Sequence, residues 1–196
     1  MGSASALAEP RPYRFLTAIA RHIVALFYRR VEVAGLERIP ASGALIVAAN
    51  HHNALMDPIV LMASVPRRLR PVAKAPLPRY PVIGQLARLA GAIPVHRRQD
   101  EWQGSVDNQA MFGASRAALE AGGAILIFPE GLSQPEPALM PLRTGTARPL
   151  LEAYGAEPTL LPVGLIYQDP GTFRVGSALI LVGQPVVWHD CAALQT

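Results

Sequence analysis

Ala44-Leu45-Ile46-Val47-Ala48-Ala49, followed at once by Asn50-His51-His52-Asn53-Ala54-Leu55-Met56-Asp57, is the stretch from which this chain reads outward. An unbroken apolar run of this length suits a strand buried on both faces, as in sheets covered by helices on either side. The polar octet then sits where the strand hands over to a helix. Ala124-Ile125-Leu126-Ile127-Phe128 is a second run of the same kind, and it leads into Pro129-Glu130-Gly131. Two polar clusters at the ends of two buried strands predict one site at the carboxyl edge of a sheet, where α/β folds bind ligands.

Strands are also expected over 30–36, 69–75, 91–97, 160–165 and 172–182, each bounded by Gly, Pro or a change of period. Helices are expected over 59–65, 82–90, 107–121 and 144–154, with Ser133–Met140 as a loop. Strands alternating with helices predict an α/β fold: a mixed, largely parallel central sheet flanked by helices, in a single domain. Residues 1–12 are expected to be disordered. Residues 13–30 form an amphipathic segment in which Phe15, Leu16, Ile19, Ile23, Leu26 and Phe27 recur at helical spacing. Arg29 and Arg30 are placed to close that helix at its negative end. Such a helix either packs on the core or lies in a membrane interface with its arginines reaching headgroups.

Composition narrows the function. The chain has 196 residues, of which 51% are apolar and 16% charged, and its net charge is +4. About 25% charged is usual for a soluble domain, so contact with lipid is the expectation. Lys74 is the one lysine among 18 basic residues. Basic runs with interleaved aromatics are missing, which argues against a nucleic-acid partner. Cys191 is the single cysteine, so no intrachain disulfide forms, and a cytosolic face fits. No cleavable signal peptide is expected at the start. No stretch reaches the ~18 uncharged apolar residues of a membrane span.

An imidazole oriented by a carboxylate is a general base. His51 and His52 point to opposite sides if the strand geometry persists, so only one is expected to meet Asp57. Asn53 is a candidate N-cap for a helix starting at Ala54, which would put Asp57 about one turn in. Against this, Asp57-Pro58 is itself a natural cap and first-turn pair, and the histidines would then be incidental. A metal site built on His51, His52 and Asp57 needs His96 or Glu130 from elsewhere, and adjacent histidines seldom share an ion. No metal is expected. Arg97, at the end of its strand, is suited to clamp a phosphate through paired hydrogen bonds.

The order of these blocks is more specific than any one of them. Asn50-His51 with a downstream Asp57, then Gly91-Ala92-Ile93-Pro94-Val95-His96-Arg97, then Phe128-Pro129-Glu130-Gly131, then Leu161-Pro162-Val163-Gly164 resembles the glycerolipid acyltransferase superfamily. That group holds lysophosphatidic acid acyltransferases, glycerol-3-phosphate acyltransferases and tafazzin. Leu142–Arg148 is also similar to the family segment after the third block.

The resemblance implies an O-acyltransferase domain over 31–196. It implies catalytic His51 or His52 with Asp57, and substrate contacts at Asn53, Lys74, Arg97, Glu130 and Gly131, with Glu130 orienting Arg97 or a donor loop. An oxyanion would be met by backbone N–H groups near a helix start. The donor would be acyl-CoA or acyl carrier protein, with no resident cofactor. The acceptor would be glycerol-3-phosphate or its monoacyl form, and the location the cytoplasmic face of a membrane. A non-catalytic lipid-binding protein and a thioester hydrolase are the rival functions. The family's usual spacing leaves four residues between His and Asp. His52 meets that spacing, whereas the Asn-His pairing selects His51, with five. Gly131-Leu132-Ser133 lacks the Arg that many relatives carry after the glycine.

Overall fold

The computed structural model describes residues 10–74, 81–95, 109–134, 136, 138–142, 158–169 and 174–186. The expected helix over 144–154, and the segments holding His96, Arg97, Arg143–Arg148 and Cys191, lie outside the described residues.

The described strands form one seven-stranded sheet in the order β1-β7-β6-β2-β5-β3-β4. They are β1 (Arg30–Ala34), β2 (Leu45–Ala49), β3 (Leu69–Lys74), β4 (Ile93–Val95), β5 (Ala124–Ile127), β6 (Thr159–Gln168) and β7 (Ser177–Val182). Every described neighbour pair is parallel except β6 with β7. The sheet is therefore mixed and largely parallel, as the alternation of elements predicts. β2, whose neighbours are β5 and β6, is central to the apolar layers: Leu45, Ile46 and Val47 are all buried. Truncating one such side chain, for example Leu126→Ala in β5, costs about 2–5 kcal/mol.

The described helices are α1 (Arg11–Phe27), α2 (Met56–Ser64), α3 (Pro81–Ala90) and α4 (Gln109–Glu120). Leu45, Val47, Leu126 and Leu161 look to one face of the sheet, toward Tyr13, Leu16, Val24, Val60 and Leu61 of α1 and α2. Ile46, Ile125 and Ile127 look to the other, toward Met111, Ala118 and Leu119 of α4. The period of two along each strand produces this division. Among the described residues no helix is long and apolar enough to cross a membrane.

Several element boundaries differ from expectation for local reasons. α1 begins at Arg11, so Arg11 and Pro12 are helical rather than disordered. Proline is tolerated in a first turn, where its missing N–H has no partner to lose. The helix stops at Phe27, and Tyr28 turns to an extended conformation. Arg29 and Arg30 therefore do not close it: the Arg29 N–H bonds Gly176 and Arg30 starts β1, pairing with Glu32. β1 ends at Ala34 because Gly35 adopts φ +81°, where an added Cβ would lie 2.5 Å from the Val182 carbonyl oxygen. β7 starts at Ser177 rather than Thr172, after a turn in which Arg174 takes φ 63°. α2 starts three residues before Ile59, because Asn53 caps it from upstream.

The amino ends of the strands are joined by one arginine. Arg67 donates to the carbonyls of Pro40 at 3.1 Å, Gly43 at 2.8 Å and Gly122 at 2.8 Å, tying together the loops before β2, β3 and β5. Burial lowers the proton affinity of this guanidinium. Beside it, the Tyr13 hydroxyl accepts the Leu69 N–H at 2.9 Å, and the Arg68 guanidinium lies 5.4 Å from the Tyr13 ring centroid.

Candidate active site

At the opposite edge, the carboxyl ends of β2, β5 and β6 converge. β2 ends at Ala49, and Asn50 extends its pairing to β6 with a side chain. Asn50 Oδ1 accepts the Leu165 N–H at 2.6 Å, and Nδ2 donates to the Leu165 carbonyl at 2.9 Å. This pair fixes the amide's orientation, since a carbonyl oxygen must face the N–H and the NH₂ group must face the C=O. The second amide hydrogen reaches His52 Nε2 at 2.8 Å. That nitrogen is an acceptor, so a neutral His52 holds its proton on Nδ1. The His52 ring meets Tyr167 edge-on at 5.9 Å.

His51 diverges from His52, as alternation predicts. Its Nδ1 lies 2.9 Å from Asp57 Oδ2. A carboxylate only accepts hydrogen bonds, so Nδ1 donates and Nε2 keeps the lone pair of a base. The Phe128 ring lies against the imidazole, with centroids 3.9 Å apart and planes at 15°. The His51 main chain is gripped from both sides. Its N–H donates to Glu130 Oε1 at 2.7 Å, and its carbonyl accepts the Gln134 N–H at 3.0 Å.

Asp57 is fully buried, at 0% exposure. A buried carboxylate needs donors to replace water. Oδ2 takes the His51 ring and the Asn53 N–H at 2.8 Å, while Oδ1 takes the Tyr167 hydroxyl at 2.7 Å. Asp57 therefore sits inside the first turn of α2 with its side chain turned toward the strand ends, and it is not the cap of the helix. The capping falls to Asn53, whose Oδ1 accepts the N–H groups of Leu55 and Met56, each at 3.0 Å. The Asp57 N–H goes to the Asn53 carbonyl at 3.2 Å. The amides of Asn53, Leu55, Met56 and Asp57 are thus used within the loop.

Glu130 is 2% exposed and spans two segments. Oε1 holds His51 and Oε2 accepts the Met140 N–H at 3.0 Å. Its described partners are thus backbone amides of the His51 turn and of the segment before Leu142; the expected partner Arg97 lies outside the described residues. Gly131 follows at φ 73°, and its N–H closes a turn onto the Phe128 carbonyl at 3.0 Å. Lys74 ends β3, opposite Val95 of β4. The structure brings together His51, Asp57, Asn53 and Glu130, and turns His52 toward Asn50 and the edge of Tyr167. Among the described residues, no three His, Cys, Asp or Glu side chains form a group able to hold a metal.

Sequence reading missed Tyr167, Tyr28 and the bridging role of Asn50. The expected strand stopped at Leu165, yet the same period of two continues through Leu161, Val163, Leu165 and Tyr167. Extending the pattern by one step would have delivered the hydroxyl to the site. Burial above all, then the Asp57 charge and hydrogen bond, raise the Tyr167 pKa strongly, so the hydroxyl stays a donor. Tyr28 stacks on Tyr167 with centroids 5.7 Å apart, and burial followed by Asp57 raises its pKa as well.

Similarities to known proteins follow this geometry. A family model described as Acyltransferase matches residues 30–166. An uncharacterized acyltransferase of Schizosaccharomyces pombe is 26% identical over 84% of this chain and 37% of its own length. Human 1-acyl-sn-glycerol-3-phosphate acyltransferase alpha is 28% identical over 80% of this chain and 53% of its own length. Glycerol-3-phosphate O-acyltransferase 2 of Saccharomyces cerevisiae is 36% identical over 42% of this chain and 11% of its own length. The chain thus spans about half or less of each of these relatives. A crystal structure of the 1-acyl-sn-glycerophosphate acyltransferase from Thermotoga maritima shares the fold. Its TM-score is 0.70 at 20% identity, covering 92% of this chain and 73% of that one.

Proposed function

Because the chain belongs to the acyltransferase family, we propose that it moves a fatty acyl group from a thioester to a hydroxyl of a glycerophosphate. The acceptor is glycerol-3-phosphate or 1-acylglycerol-3-phosphate, and the donor is acyl-CoA or acyl carrier protein. The observation that carries this reading is the His51–Asp57 pair, 2.9 Å apart and buried beside the Phe128–Gly131 turn.

In the proposed reaction His51 Nε2 takes the acceptor's hydroxyl proton as that oxygen attacks the thioester carbonyl. The carbon–sulfur bond breaks, and the proton passes from the imidazolium to the departing thiolate. An ester and a thiol are the products, with no acyl-enzyme and no resident cofactor consumed. Asp57 fixes the tautomer that leaves Nε2 basic and offsets the imidazolium charge, a contribution of about 10²–10⁴-fold for a positioned base. His52 is the weaker candidate, because its Nε2 lone pair already accepts from Asn50. Arg97, Lys74 and Gly131 remain the proposed contacts to the acceptor, with Asn53 and Glu130 shaping the loops around it.

A peripheral position on the cytoplasmic face of a membrane completes the proposal. Phe15 is 64% and Leu26 48% exposed on α1, where Arg11, Arg14 and Arg21 are also exposed. Apolar residues flanked by arginines suit a helix that lies in the lipid interface.

Mass-resolved acyl transfer tests the function. Incubation with acyl-CoA or acyl carrier protein and each acceptor should give a product heavier by one acyl group, with one thiol released per ester. Thiol release without lipid product would make the protein a hydrolase. Ligand binding with neither product would make it a lipid-binding protein.

A further inference from the structure

We propose that Tyr167 is a positioning residue for the base: its hydroxyl pins one oxygen of Asp57 so that the other stays on His51 Nδ1. This rests on the assignment of His51 and Asp57 above, and it adds a residue that the motif blocks do not contain.

The geometry divides the carboxylate between two partners. Oδ1 receives the Tyr167 hydroxyl at 2.7 Å, and Oδ2 receives His51 and the Asn53 N–H. Without a donor on Oδ1, rotation about the terminal side-chain torsion would cost Asp57 less, because such sp³–sp² torsions have broad minima. Each departure would weaken the bond that holds the imidazole proton on Nδ1. The second tautomer puts that proton on Nε2, where it blocks proton uptake.

Tyr167 is itself held in place. It lies two residues after Leu165 on β6, so both face the same side of the sheet, and Leu165 is bound by Asn50 through its N–H and C=O. Tyr28, at the end of α1, stacks on one side of the ring, and His52 meets it edge-on. Among the described residues, the charged and titratable groups around Tyr167 are Asp57 from α2, Tyr28 just after α1 and His52 from the turn after β2. The adjacent histidine is a wall of the Tyr167 pocket, which gives His52 a role other than that of the base.

Tyr167→Phe removes the hydroxyl and keeps the ring, so packing against Tyr28 is preserved. The test reads His51 by ¹⁵N NMR of the imidazole nitrogens, which reports the tautomer without any need for turnover. The wild type should hold the Nδ1–H form, and Tyr167→Phe should show both tautomers. In an Asp57→Ala background the same change should shift nothing further, because the hydroxyl acts through that carboxylate. With acyl transfer measured alongside, kcat should fall by about 10-fold, the worth of one hydrogen bond to a charged group, with KM unchanged. Wild-type ring shifts in Tyr167→Phe would overturn the proposal, and so would an equal effect with and without Asp57. A shifted tautomer together with full transfer activity in His51→Ala would leave the positioning role standing and remove the catalytic one.

Discussion

The two ends of the sheet are stitched by polar side chains in different ways. At the amino ends, Arg67 joins three loop carbonyls and the Tyr13 hydroxyl accepts the Leu69 N–H. At the carboxyl ends, Asp57, Glu130 and Asn50 also bind backbone, but Glu130 holds the main-chain N–H of His51 itself and Asp57 that of Asn53, two residues on. The amino end joins groups that do not titrate near neutral pH. The carboxyl end surrounds an imidazole whose proton has a fixed place. The same physical device, a buried polar group satisfied by backbone, gives a scaffold at one end and a site of reactivity at the other. α1 spans both, with Tyr13 at the amino end and Tyr28 against Tyr167 at the carboxyl end.

Substitutions at the two ends should therefore separate activity from stability. Asp57→Asn should have the largest effect on activity. It leaves the shape of the site but removes the negative charge that holds the Nδ1–H form and offsets the imidazolium, and kcat should fall by about 10²–10⁴-fold in the acyl-transfer assay. Glu130→Gln comes next, because one of two backbone amides would then face an NH₂ group. A loss of about 1–3 kcal/mol in denaturant unfolding is expected, together with a lower kcat, since the His51 turn is one of the two attachments. Arg67→Ala should break the comparison cleanly. It should cost about 2–3 kcal/mol of stability through its orphaned carbonyls and leave kcat unchanged.

The smallest effect is at alkaline pH. Tyr28 and Tyr167 have folded pKa values raised above those of the unfolded chain, so their contribution is complete below a pH of about 10. Above it the unfolded chain releases these protons while the folded one retains them, and stability falls as pH rises. A thermal-unfolding series should show a shallower decline for Tyr167→Phe than for the wild type.

Most of the fold was legible because parallel strands covered on both faces read as unbroken apolar runs. Leu45–Ala49 and Ala124–Ile127 left little choice of layer. Ends were less legible where a single backbone conformation decides them, as at Gly35 and Arg174. In the site, the pairing of His51 rather than His52 with Asp57 depends on how the chain turns after Ala49; the family spacing pointed to His52 and the Asn-His dipeptide to His51, and the turn decides between them. Glu130 was visible as a carboxylate at a strand end. Its partners were not, because they are main-chain groups of the His51 turn and of Met140, 10 residues downstream. The period of two along β6 puts Tyr167 on the same face as Leu165, but its pairing with Asp57, 110 residues away, is set by the order of strands and not by any local pattern.

The central claim is that one of two neighbouring imidazoles is the base. Steady-state ester formation by His51→Ala and His52→Ala, measured side by side with unfolding curves to show that both fold, addresses it most directly. His51→Ala should lose about 10²–10⁴-fold in kcat/KM, while His52→Ala should keep turning over with a smaller loss. Ester formation that survives in His51→Ala and vanishes in His52→Ala would contradict the account.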